Sequence, residues 1–312
     1  MQDYQVQIIN PNEREEIYNR LIQKIRYELK ANIHGACIKL LTDNKDFKDE
    51  WEDNFKSMSE DIRPHAKIYA LSNGDKKLRV LYDPIEKSVF LINVDYYGWV
   101  KSIALAAVSD LFEDYHCNHR RYSVHGSAVD HHGQSIVLIG LPGVGKTSLT
   151  CGLLQNEDFN YISDDWFFVR LFSNSIVLYS SEKNPYIRDD VGDVLTKYKD
   201  EIQRVKLDNR GRGIANVYSM FNGRVRESST LKCVVLLERN KLNPPFRKLD
   251  SNEAIDYVLK TDFCNPHQLI RDERKFKLRL NFFKELFSKT DVYILNTIET
   301  IEESLNRIEC VI

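Results

Sequence analysis

Apolar residues at Ile17, Leu21, Ile25 and Leu29 recur every four positions. That spacing predicts one helix over residues 12–31, with Asn10-Pro11-Asn12 as its start signal. Residues 37–41 read as a short strand, and the charged run 45–57 as an exposed helix. The segments AKIYALS, LRVLYD and SVFLINV alternate or run apolar between turn residues, which predicts an antiparallel meander. A helix is expected over 98–115. A boundary near 115–120 then separates an α+β N-terminal domain, 1–118, from a second domain, 119–312.

The texture changes in that second domain. Residues 122–129 and 135–139 read as strands around the turn Asp130-His131-His132-Gly133. A glycine-rich segment and a helix follow, then a strand ending at Ser163, a hairpin over 166–180 and a helix over 189–204. Residues 230–237 read as a buried strand, 273–288 as a helix, and DVYILN with 298–309 as a closing strand and helix. The pattern contains no repeat and no low-complexity linker.

Composition narrows the classes. Of 312 residues, 42% are hydrophobic and 29% charged, which fits a folded globular chain rather than a disordered one. Lys plus Arg is 44 against Asp plus Glu 46. That balance argues against bulk nucleic-acid binding. The N-terminus lacks a signal-peptide pattern, and no apolar run reaches the roughly 18 residues of a membrane span. The six cysteines form no CxxC pair, which predicts free thiols and a cytoplasmic location. His116-Cys117-Asn118-His119 reads as helix-end residues rather than a metal knuckle, and His131 and His132 as solvated turn residues.

Gly140-Leu141-Pro142-Gly143-Val144-Gly145-Lys146-Thr147 matches GxxxxGK[ST] in full, after an apolar strand and before a helix. The expected phosphate contacts are Gly140, Gly143, Val144, Gly145, Lys146, Thr147 and Ser148. Glycines let the backbone N–H groups converge on phosphate oxygens, and the helix N-terminus adds partial positive charge. Lys146 is expected to reach the β- and γ-phosphates, and Thr147 to hold Mg²⁺. Asp164 and Asp165 follow Thr147 at a strand end. Adjacent carboxylates repel unless a cation or a shared proton lies between them, so they suit Mg²⁺ binding and general-base work. His125 lies on the strand before the loop and is a candidate third catalytic group. Between Arg204 and Arg226 six basic residues face one acid, Asp208, which suggests an anionic ligand, with Arg210 the best candidate to stabilise phosphoryl charge. The polar loop 181–188 and residues 264–267 are weaker candidates for the acceptor pocket.

The order HGSA, GLPGVGKTS, SDD resembles the HPr kinase/phosphorylase family and its relatives, the ATP-type phosphoenolpyruvate carboxykinases. Asp208-Asn209-Arg210-Gly211-Arg212-Gly213-Ile214 is similar to the kinase side's acidic-x-Arg-Gly-x-Gly-Ile signature, with Asp208 in place of Glu and Arg212 in place of Leu. The family's PGRN segment, used on HPr, is absent. The resemblance covers about residues 121–240. It implies an α/β fold: a P-loop kinase-like core, a mixed sheet with flanking helices, beside the smaller α+β N-terminal domain. It also implies His125, Lys146, Thr147, Asp164, Asp165, Asp208 and Arg210 as site residues, with Thr147, Asp165 and Asp208 toward the metal. The function expected is transfer of phosphoryl from ATP, or another phosphate donor, with Mg²⁺, to a hydroxyl. The acceptor would be a small metabolite such as an amino acid or polyol, or a Ser on a peptide or protein. The alternatives are a nucleotide-binding regulator or ATPase without transfer, and a carboxykinase-like lyase. No membrane partner is expected, and homo-oligomerisation stays open.

Overall fold

The computed structural model describes residues 4–312. The chain divides into two compact units. One comprises residues up to Tyr115 together with Pro266–Arg271. The other comprises His116–Asn265 and Asp272–Ile312. Both are α/β in character, with mixed sheets and flanking helices.

The first unit contains, in chain order, β1 (Val6–Ile8), α1 (Pro11–Leu21), β2 (Tyr27–Ile33), β3 (Ala36–Thr42), α2 (Lys45–Asn54), β4 (Lys56–Ser57), β5 (Ala66–Leu71), β6 (Arg79–Asp83), β7 (Ser88–Ile92) and α3 (Tyr97–Asp114). The helix expected over 12–31 stops at Leu21. Asn10 and Glu13 form a reciprocal capping box at its start, and a short 3₁₀ turn closes it. Residues 27–33 instead pair antiparallel with β3 across the turn His34-Gly35, whose residues have φ of 50° and 87°. Leu29 and Ile33 continue the period of four, while Leu29, Ala31 and Ile33 also satisfy a period of two, and pairing decided between them. The expected meander is also corrected. The sheet order is β1-β6-β7-β5-β3-β2-β4, so β7 lies between β6 and β5 and runs parallel to β5. Helix α2 is not wholly exposed, since Phe47 and Trp51 are buried. In α3 a buried Asp110 accepts from the Tyr82 hydroxyl (2.6 Å) and from Lys87.

The second unit contains α4 (His116–His119), β8 (Arg121–His131), β9 (Gln134–Gly140), α5 (Lys146–Leu154), β10 (Phe159–Ser163), β11 (Trp166–Leu171), β12 (Ile176–Ser180), β13 (Tyr186–Arg188), α6 (Lys199–Gln203), β14 (Arg212–Ile214) and α7 (Val217–Met220). After these come β15 (Ser228–Glu238), β16 (Phe246–Leu249), α8 (Ser251–Lys260), α9 (Glu273–Ser288), β17 (Asp291–Asn296) and α10 (Ile301–Glu309). The eight-stranded sheet runs β10-β8-β11-β12-β15-β17-β16, and β9 pairs with both β8 and β15. The long strands β8 and β15 divide their pairing. The first half of β8 pairs with β11, and its second half with β9 and β10.

Strands β9 and β15 are apolar on both faces, as strands covered on both sides must be. Val137, Ile139, Val234 and Leu236 pack with α8 and α9, through Val258, Phe282 and Phe283. Ile136, Leu138, Val235 and Leu237 pack with α5 and α10, through Leu149, Leu153 and Ile308. The helix expected over 189–204 is two 3₁₀ turns and the short α6. Its stripe Val191, Leu195, Tyr198 and Ile202 is buried as a helical stripe would be. Leu195, at φ −83° and ψ 59°, interrupts the helical path.

Candidate functional site

Strand β9 ends at Gly140, and α5 begins at Lys146. Gly143 and Gly145 have φ of 79° and 110°, where an L side chain is strained. Gly140 is required for contact: a Cβ there would lie 2.8 Å from Val144 Cγ1 and 3.0 Å from the Leu237 carbonyl oxygen. The loop is held from a third element, because the Thr297 hydroxyl, just past β17, donates to Val144 O at 2.8 Å. Leu141, Pro142 and Gly143 are exposed, whereas Val144 and Lys146 are buried. The free N–H groups at the start of α5 can receive an anion there.

Lys146 folds back over the loop, and its Nζ donates to Gly140 O (2.7 Å) and Leu141 O (3.2 Å). Burial pulls its pKa below the ordinary lysine value. Asp165, Cys264 and Asp164 oppose that shift. The Thr147 hydroxyl donates to Asp164 Oδ2 at 3.0 Å. Asp165 instead faces His125, with Nε2 3.2 Å from Oδ1. Gly126 N–H donates to Asp165 O at 3.0 Å, so the backbone places that acid beside the histidine. Asp164 and His125 are buried, while the Asp165 side chain is one-third exposed. Thr150 on α5 donates to Ser127 on β8 at 2.7 Å, which ties the helix to the strand that carries His125.

Glycine 126 has its own constraint. An added Cβ would lie 2.6 Å from Leu138 O and 3.0 Å from Phe167 Cε1. Gly126→Ala is therefore expected to cost about 1–3 kcal/mol, read as a lower urea midpoint with an unchanged slope. An unchanged midpoint would contradict the packing described.

The structure thus groups Lys146, Thr147, Asp164, Asp165 and His125 where β9 and β10 end beside the middle of β8. Val144, Gly145 and Ser148 complete the turn. Asp208 and Arg210 stand on a different element, the connection into β14 of the two-stranded β13–β14 sheet. Asp208 accepts from the Arg210 and Arg212 N–H groups at 2.8 and 3.0 Å and from the Tyr186 hydroxyl. Arg210 is exposed. The basic stretch is not a single patch. The Arg224 guanidinium donates to the carbonyls of Leu154, Asn156 and Phe159 and to the Tyr198 hydroxyl. It closes the C-terminal end of α5, where a cation is favoured.

Tyr161 and Thr297 were not singled out by sequence, and Glu182 and Cys264 only as parts of the weaker acceptor-pocket candidates. Glu182 is buried, and its charge, with that of Asp164, adds to the burial that raises the Tyr161 phenol. Tyr161 OH has no hydrogen-bond partner among the described residues. It lines a cavity of about 20 Å³ with Thr150, Cys151, Asp164 and Met220, room for one water. Cys264 is buried within electrostatic range of Lys146 and ends a run in which Asp262, Phe263 and Cys264 have φ of 49°, 56° and 55°. No Gly or Asn marks that run. Thr297 stands in the sequence as an ordinary turn residue.

No family model matches the chain. Among curated proteins, it is similar to the HPr kinase/phosphorylase of Chloroherpeton thalassium (strain ATCC 35110 / GB-78). The two are 25% identical over 153 residues, which is 48% of this chain and 39% of that protein. The chain therefore matches about two fifths of that relative's length. No described helix is long and apolar enough to cross a membrane. The likeness supports a distant relationship to the HPr kinase/phosphorylase family.

Proposed function

We propose that the chain is an ATP- and Mg²⁺-dependent phosphotransferase acting on a hydroxyl, with residues 119–312 as a P-loop catalytic domain and 1–118 as its companion domain. The observation that carries this reading is the division of the acidic pair. Asp164 takes the Thr147 hydroxyl, and Asp165 takes His125. A phosphoryl-transfer site needs a metal ligand and a proton acceptor at the mouth of the phosphate loop, and this arrangement offers one of each. The likeness to a protein named HPr kinase/phosphorylase supports the reaction class.

The donor set fits Mg²⁺. Thr147 Oγ1 and the Asp164 carboxylate are hard oxygen ligands 3.0 Å apart. When bound, the ion would neutralise charge on the β- and γ-phosphates. In this reading Asp165, which the resemblance placed toward the metal, instead accepts the acceptor's hydroxyl proton, with His125 orienting that carboxylate. Lys146 leaves its loop carbonyls for the phosphate oxygens. Asp208 and Arg210 would act from the connection into β14, Arg210 as the cation for the moving phosphoryl group. The acceptor is a small metabolite such as an amino acid or polyol, or a Ser on a peptide or protein.

The test is incubation of the purified chain with Mg²⁺ and γ-labelled ATP across a panel of amino acids, polyols and seryl peptides. Label is expected on a hydroxyl product. ATP binding without transfer to any acceptor would favour the regulator or ATPase instead. Oxaloacetate-dependent CO₂ release would favour the lyase.

A further inference from the structure

At the C-terminal end of β8, three side chains of a kind that can ligate metal converge. His131 ends β8, His132 occupies the turn to β9, and Asp158 precedes β10. One ligand atom from each lies within 4.8 Å of the other two. We propose that His131, His132 and Asp158 form a binding site for a divalent transition metal of the zinc type, separate from the phosphate-loop site.

The topology brings these residues together. His131 pairs with Gln134 across the hairpin and with Phe159 on β10. The turn is therefore only His132-Gly133, and both residues have positive φ, 51° and 85°. A two-residue turn of that shape favours Asn-Gly. Here histidine stands at the first position, beside a second histidine whose ring centroid is 4.3 Å away. His131 is half-buried, and its ring lies 4.9 Å from that of Phe159, which limits its orientation. Asp158 is set in its loop by an N–H donated to Asn156 Oδ1 at 3.1 Å.

The ligand chemistry selects the ion class. Two imidazoles and one carboxylate suit zinc and neighbouring transition metals and suit Mg²⁺ poorly. A tetrahedral ion with ligands at about 2.1 Å holds them about 3.4 Å apart. His132 and Asp158 are exposed and can close that gap by rotamer adjustment. Three protein ligands leave a fourth position for water. A metal here would join the β8–β9 turn to the α5–β10 connection, at the opposite end of α5 from the glycine loop.

The test is Zn²⁺ titration of the full chain by calorimetry, with Mg²⁺ in excess. The exposed thiols Cys117 and Cys310 are replaced by serine so that they cannot compete. The expected result is one site of micromolar affinity. It should weaken at least about tenfold in both His132→Asn and Asp158→Asn, since loss of an outer-shell partner alone costs about 10- to 100-fold. Asparagine suits the left-handed turn position, so His132→Asn should keep the fold, which its unchanged circular dichroism would verify. Zn²⁺ should also raise Tm by about 2–5 °C at saturating concentration, and His132→Asn should abolish that rise. Absence of saturable binding, or binding that survives either substitution, would overturn the proposal.

Discussion

Exchange of Lys146 for methionine is expected to weaken ATP–Mg²⁺ binding by about 10- to 100-fold, the worth of a charge-assisted hydrogen bond of about 1.5–3 kcal/mol. Phosphoryl transfer should fall further, by about 10²–10³-fold, because the cation acts most where charge develops. The fold should persist. Lys146 is buried, and burial depresses its pKa below the usual 10.5. The unfolded chain then holds that proton more readily than the folded one. The stability contributed by this group rises with pH between the lowered folded value and the ordinary value, and falls as the lysine becomes charged in its buried place. Methionine keeps the stem and removes the charge, so the ligand-free Tm should stay or rise. Calorimetry with ATP–Mg²⁺ and thermal unfolding without it separate the two effects. Wild-type ATP affinity would defeat the loop assignment. A large fall in the ligand-free Tm would show that the lysine serves the fold.

The second large effect is expected at the acidic pair, and the two acids should fail differently. Asp165→Asn removes the carboxylate beside His125. Transfer should drop by about 10²–10⁴-fold, with ATP binding close to wild type. Asp164→Asn removes the partner of the Thr147 hydroxyl. It should shift the Mg²⁺ dependence of turnover to higher concentration and lower the plateau. Turnover measured against Mg²⁺ concentration for both variants separates base from metal ligand. Full turnover in each would end the metal-and-base reading.

Most element positions were legible from local pattern because each element carries its own apolar face. Strands β9, β15 and β17 and helices α3 and α9 fall where the runs and stripes lie. Two errors have one cause, competition from long-range pairing. Residues 27–33 satisfied both a helical and a strand period, and β3 supplied the partner that chose the strand. The strands β5, β6 and β7 were recognised, but their order depends on which edges meet, and β7 took the place between the other two. The stripe from Val191 to Ile202 recorded burial correctly but not the helix. Helix α8 and β16 were missed although Asp250 and Glu253 carry a capping box ahead of the helix. That signal was present in the chain.

The candidate site divides the same way. The chain alone determined that a glycine loop, a lysine and a threonine stand between an apolar strand and a helix, since those relations lie within one local run. It also determined that a histidine lies on a flanking strand and that two carboxylates follow another. Which carboxylate meets Thr147 and which meets His125 was decided only by the pairing of β8 with β9, β10 and β11, because adjacent residues on a strand end point to different neighbours. Tertiary structure alone also brought Thr297 to the loop and Cys264 toward Lys146, and it turned Arg224 to the end of α5. Those residues lie far from the loop in sequence, and no local pattern records a contact made by chain return.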